Sequence, residues 1–180
     1  MNNVNKLNRL GITLAAFLFA SCGTTSSLQG PQGTMASARR FAKVTVQDFK
    51  VSVSEHADEA VSSRVTFPDL IAAEIKKTGR FATVLRNARP DAETLVVDGV
   101  VTRYEEGSVS KRIFLGMGFG MALVEADVTF RDGKGANLGR IRVDKNSWPL
   151  GGAIAAGQNP HTLMNGAADK IAEEAAKLAK

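Results

Sequence analysis

The chain has 180 residues, 44% of them hydrophobic and 23% charged, with 17 Gly, 5 Pro and a single Cys. That length supports one compact domain and the apolar content excludes collagen-like, low-complexity and wholly disordered classes, while one cysteine and two distant histidines, His56 and His161, leave no ligand cluster for a metal. The formal charge of +5 is spread over interleaved acids and bases with one Trp and one Tyr, so the basic stripe and stacking aromatics of a nucleic-acid binder are missing.

Residues 1–9 are polar and carry Lys6 and Arg9, residues 10–20 read LGITLAAFLFA, and a polar run, GTTSSLQGPQGT, follows Ser21 and Cys22. This is the layout of a secretory signal, with an apolar run too short for the ~20 residues that span a bilayer. Phe19, Ala20, Ser21 and Cys22 resemble the bacterial lipobox, whose cysteine is acylated and becomes the first residue of the mature chain; Phe19 departs from the usual Leu, with Leu18 beside it. The resemblance implies a signal peptide over residues 1–21 and a diacylglyceryl and N-acyl (palmitate-type) group on Cys22, with no other cofactor. Several acyl chains, at about 0.8 kcal/mol per buried methylene, make a stable anchor. Gly23 rather than Asp after the cysteine resembles the outer-membrane default, which implies a lipid-anchored protein of the bacterial envelope facing the periplasm.

Residues 22–37, rich in Gly, Ser, Thr and Gln, read as the lipidated cysteine and a flexible tether, and residues 38–180 as the single domain. Phe41, Val44, Val46, Phe49, Val51 and Val53 predict extended structure, and residues 54–63 a polar loop. Phe67-Pro68-Asp69 predicts a helix start, because proline suits the first turn. Leu70, Ile71 and Ile75 form its apolar stripe, Lys76 and Lys77 its last turn, and Gly79 its stop. Short and long strands follow over residues 81–85 and 94–104. Two extended segments, residues 108–131 and 137–148, flank a hairpin turn at Asp132-Gly133-Lys134-Gly135. A C-terminal helix begins near Pro160, with Met164, Ala167, Ile171, Ala175 and Leu178 on one face. The predicted fold is α+β: a mixed or mostly antiparallel sheet with a long hairpin, one internal helix and the C-terminal helix packed on it.

Leu115, Gly116, Met117, Gly118, Phe119, Gly120 and Met121 form the most unusual segment. As a strand it places the glycines on one face and the large apolar side chains on the other. Strand glycine usually serves close approach of another backbone, or a bulge. A second reading makes this an interaction strand for lipid, an envelope protein or another copy of the chain. A nucleotide loop is disfavoured: the spacing is GxGxG, no GK[ST] follows, and no helix opens after it.

Val97-Asp98-Gly99-Val100, Tyr104, Gly107-Ser108, Lys111-Arg112 and the 116/118/120 glycines resemble bacterial lipoproteins of the domain of unknown function 4410 family, as do Asp132-Gly133-Lys134-Gly135, Gly151-Gly152 and the Ala-rich terminal helix. The resemblance spans most of residues 40–180. It implies an envelope lipoprotein and carries no catalytic residue with it.

Chemical motifs are sparse. There is no G-x-S-x-G elbow. Glu105 and Glu106 are strand neighbours pointing to opposite faces, and Glu125 and Asp127 are expected to pair with Arg140 or Arg142 across the hairpin. The expectation is a membrane-anchored, non-enzymatic protein with a binding or assembly role. Its partners would be membrane lipid through the acylated terminus and an envelope protein or itself, with no nucleic acid. A secretion or pore-assembly subunit, or an envelope enzyme with an unrecognised site, are the alternatives.

Overall fold

A computed structural model describes residues 23–26, 28–29, 40–52, 57–108, 110, 120–146 and 158–180. In chain order the elements are β1 (Gly23–Thr25), β2 (Lys43–Val46), β3 (Lys50–Val51), α1 (Ala57–Lys77), β4 (Thr83–Arg86), β5 (Thr94–Glu105), β6 (Leu123–Asp132), β7 (Asn137–Asn146) and α2 (Pro160–Ala176). The seven strands form one mixed sheet in the order β1-β7-β6-β5-β2-β4, with β3 also on β5. Pairs β5–β6, β6–β7 and β1–β7 are antiparallel, whereas β2 lies parallel to both β4 and β5. The predicted α+β class, long hairpin and two helices are all present.

Alternation builds the two faces. Val124, Ala126, Val128 and Phe130 of β6 and Ile141 and Val143 of β7 are buried, and their chain neighbours Glu125, Asp127, Arg140 and Arg142 are not. Both helices cover the apolar face: α1 packs on β2 to β5, α2 on β6, β7 and β1, and the helices meet each other. Ile71 and Ile75 of α1 and Leu163, Ala167, Ile171 and Ala175 of α2 are essentially inaccessible there.

The internal helix starts at Ala57, ten residues before the predicted opening at Phe67. Pro68 sits inside it, where the ring removes the N–H that would bond the carbonyl of Arg64. That carbonyl instead accepts the backbone N–H of Phe49, at 3.0 Å, from the link between β2 and β3. The tertiary partner satisfies the orphaned group, so proline is tolerated mid-helix. Phe49 also meets Phe67 edge-on, with ring centroids 5.5 Å apart.

The C-terminal helix begins where Pro160 places it. Asn159 caps it through a reciprocal pair with Thr162: the Asn159 side chain accepts the Thr162 N–H, and the Thr162 hydroxyl accepts the Asn159 N–H. Beyond the helix, Phe41 N–H donates to the Leu178 carbonyl and Lys180 N–H to the Phe41 carbonyl, which ties the chain end to the first residues of the domain.

Two further differences concern extent. The first long hairpin strand begins at Leu123, and Ser108, Gly120 and Met121 lie outside any strand. Within the segment read as a tether, Gly23–Thr25 pairs with β7 and Leu28 is buried in the core.

Candidate functional site

The face of the sheet opposite the helices is a lattice of charges. Arg131 Nη1 reaches Asp98 Oδ2 at 2.7 Å, and Arg103 binds Glu105 at 2.7 Å and Glu125 at 3.6 Å. Burial pushes the Asp98 carboxyl up, an effect the Arg131 charge only partly offsets. Glu125 is therefore held by Arg103, its register partner on β5, and not by the arginines of β7 as alternation alone suggests.

Beside this lattice, Ser26, Gln29, Asp127, Arg140, Arg142 and Asp144 line an open polar groove of about 330 Å³. Asp127 stands opposite Arg142 and Thr129 opposite Arg140 across β6–β7, while Glu125 faces the like charge of Asp144. Among the described residues, the side chains of Asp127, Arg140, Arg142 and Asp144 make no ion pair with one another or with any neighbour. Two guanidinium groups and two carboxylates thus sit side by side with their hydrogen-bonding capacity open. The groove has no net charge, which suits a partner offering both signs, or many neutral polar groups, better than a simple anion or cation.

Further charged groups brace the domain edges. Arg86 on β4 joins Asp48 and Asp69, each at 2.7 Å, and also donates to the Val46 carbonyl. Hydrogen bonds from Asn87 and Arg86 hold the Asp48 carboxyl below its usual range. Asp91 is lowered to about 2 by hydrogen bonds from Lys43, Thr94 and the Glu93 backbone. Glu174 is only 1% exposed on α2. Burial raises its pKa, but Lys177 at 2.7 Å and Lys170 at 3.1 Å outweigh that, and the Leu28 backbone N–H lowers it further, so the net shift is downward.

The lipidation residues Phe19, Ala20, Ser21 and Cys22 lie outside the described residues, as do Leu115, Gly116, Met117, Gly118 and Phe119 of the candidate interaction strand. Its last two members are visible. Gly120 adopts φ +69 in a turn and Met121 is half-buried. The Gly120 carbonyl accepts the Ser108 N–H at 2.8 Å. A Cβ on Gly107 would fall 2.6 Å from the Gly120 carbonyl and the Ala122 nitrogen, so the two backbones cross closely at the foot of the segment. Close backbone approach is thus realised at Gly107, two residues past the end of β5.

Sequence reasoning missed the contribution of residues 23–29. The signal for it was present: Thr24 and Thr25 are β-branched, and Leu28 is the lone aliphatic residue in an otherwise polar run. No candidate metal cluster of three or more His, Cys, Asp or Glu occurs among the described residues. No helix there is long and apolar enough to cross a membrane.

Among the described residues, a seven-stranded mixed sheet with two helices packed on one face and charged side chains on the other defines an α+β domain. The family model described as domain of unknown function (DUF4410) matches residues 39–151, more than half of the chain, and the protein belongs to that family. Among solved structures, the chain is similar to the PelC dodecamer from Paraburkholderia phytofirmans, with 18% identity and a TM-score of 0.50 over 88% of this chain and 99% of that one. A single-substitution variant of the same dodecamer gives 20% identity and a TM-score of 0.50, covering 88% and 98%. A neuraminyllactose-binding hemagglutinin homolog from Helicobacter pylori gives 12% identity and a TM-score of 0.39, covering 83% and 90%. No curated protein matches the sequence.

Proposed function

We propose that this protein is an acylated lipoprotein of the bacterial envelope, anchored through Cys22 to the periplasmic side of the outer membrane, that works by binding and self-assembly and not by catalysis. The observation that carries the reading is the polar sheet face, where, among the described residues, Asp127, Arg140, Arg142 and Asp144 make no ion pair and set both charge signs side by side. Such a surface is self-complementary: a second copy offers carboxylates to these guanidinium groups and guanidinium groups to these carboxylates. The dodecameric state named for the similar fold from Paraburkholderia supports assembly of like subunits. The leader-and-lipobox layout supports the anchor.

The test combines labelling and mass. Cells fed an alkyne-tagged fatty acid should incorporate it into the wild-type protein and not into Cys22→Ser, which should leave the membrane fraction. Mass photometry of the detergent-extracted protein should show a multimer that Arg142→Glu dissociates at low salt. An unmodified Cys22 thiol refutes the anchor, and a strictly monomeric wild type refutes assembly.

A further inference from the structure

The segment after Cys22 is a strap laid on the sheet edge. Gly23, Thr24 and Thr25 pair in register with Lys145, Asp144 and Val143. The ladder then continues: Ser26 N–H donates to the Arg142 carbonyl at 2.9 Å, and the Arg142 N–H donates to Ser26 Oγ at 2.8 Å. Gln29 and Arg140 exchange both backbone bonds, at 2.9 and 2.8 Å. Leu28, 7% exposed, enters the core between them. Gly139 makes room for it, because a Cβ there would lie 2.7 Å from Leu28 Cδ1 and 2.8 Å from the Gln29 carbonyl. Leu28 belongs to the core cluster and β1 also touches α2, so the strap is joined to sheet, core and helix together.

The register locates the strap's origin. Because Gly23 stands opposite Lys145 in an antiparallel pair, the chain enters at the Asn146 end of β7. The same end of the sheet holds Leu123, paired with both Asn146 and Glu105, and beyond them Glu106, Gly107 and Met121. The hairpin turn at Gly133–Gly135 is at the other end, about 34 Å away along the ten residues of β7 at ~3.4 Å each. A free tether over residues 22–37 would have a root-mean-square span of roughly 20–24 Å and leave the domain free to tumble. With Gly23 already in the ladder, the slack is a single peptide unit of about 3.8 Å.

We infer that the strap holds the domain in one orientation on the lipid surface, with the sheet end that carries Glu105, Glu106, Gly107, Met121 and Asn146 on the membrane side and the 133–135 turn pointing away. The inference rests on acylation of Cys22 as proposed above. It adds what acylation alone does not supply: a fixed height and a fixed face. The polar face that carries Asp127, Arg140, Arg142 and Asp144 then stands beside the membrane, with the strands of the hairpin running away from it.

Acylation consumes the single cysteine of the chain, so an introduced cysteine is the sole free thiol. Glu106→Cys and Lys134→Cys, both at exposed positions, are labelled with bimane on the full-length acylated protein. Each is reconstituted into phosphatidylethanolamine/phosphatidylglycerol vesicles with and without a nitroxide-headgroup lipid. The expected result is at least fivefold stronger quenching at position 106 than at 134. Gly139→Val, which expels Leu28, and a twelve-residue Gly/Ser insertion after Cys22, which leaves the strap's contacts intact but adds slack, should each bring that ratio towards one. Equal quenching at the two positions in the otherwise unaltered chain, with the protein floating on the vesicles, overturns the orientation. A ratio unmoved by either change overturns the strap's role. Failure to float, with an unmodified cysteine in the intact mass, overturns the acylation reading itself and is thereby told apart from the other two.

Discussion

Gly99→Ala is a one-methyl perturbation whose sign the structure decides. Gly99 lies mid-β5 under the ring of Phe49, and an added Cβ would sit 2.7 Å from Phe49 Cε2 and 2.8 Å from the Asp127 carbonyl. Ordinary contact begins at 3.4 Å, so something must retreat by about 0.7 Å. The carbonyl belongs to the β5–β6 ladder and cannot move without distorting it. The ring is 1% exposed and held edge-on by Phe67, and the Phe49 N–H is committed to the carbonyl freed by Pro68. Alanine would by propensity gain about 0.5–1 kcal/mol over glycine in a strand, whereas overpacking a rigid core costs about 1–3 kcal/mol. The net expectation is a loss of about 1–2 kcal/mol, or roughly 2–8 °C in Tm for a domain of this size. Differential scanning calorimetry on Gly99→Ala, Phe49→Leu and the double variant measures it. The double variant should be more stable than the sum of the two single losses implies, by at least about 0.5 kcal/mol, because a smaller side chain makes room for the methyl. A Tm equal to or above wild type for Gly99→Ala, or strict additivity, refutes the assignment of Gly99 to close approach.

Glu174 carries a pH dependence. Its folded pKa is below the ordinary 4.5, so it contributes stability that is complete above that value and is lost as pH falls through the folded pKa; urea midpoints should drop across that window in wild type and drop less in Glu174→Gln. Arg86→Met removes the ion pairs to Asp48 and Asp69 from a position 22% exposed. It should lower stability by about 1–2 kcal/mol and move the Asp48 carboxyl up towards 3.8, read by carboxyl-carbon NMR titration. An unmoved Asp48 titration would show that Asn87 alone sets it.

Elements governed by neighbours in the chain were legible residue by residue. The caps and breakers did their work locally: Asn159 and Pro160 open α2, Gly79 follows α1, and Asp132–Gly135 turns the hairpin. Alternation placed Glu125 and Asp127 on one face of β6, and helical spacing named Met164, Ala167, Ile171 and Ala175 as one face of α2, which is buried. The candidate site was less accessible. Alternation put Asp127, Arg140 and Arg142 on the polar face, but whether a cross-strand charge finds its partner depends on register and rotamer. Arg103 on β5 captured Glu125, and Asp127 makes no ion pair with Arg142 although the two stand directly opposite each other.

Composition and local spacing by themselves determined the α+β class, where the hairpin turn and the last helix begin, and which face of that helix is buried. Tertiary structure decided the rest wherever a backbone group found its partner far along the chain. Phe49 rescues the carbonyl that Pro68 strands fifteen residues away from it, and so lets a helix begin where proline alone predicts a loop. Residues 23–29 look like a linker because no local hydrogen bond holds them. Residues 23–26, 28 and 29 are structured because β7, more than a hundred residues on, offers an edge to pair with and a glycine-sized gap for Leu28. Hydrogen-bond demand at a sheet edge is a property of the assembled sheet, and no window of sequence contains it.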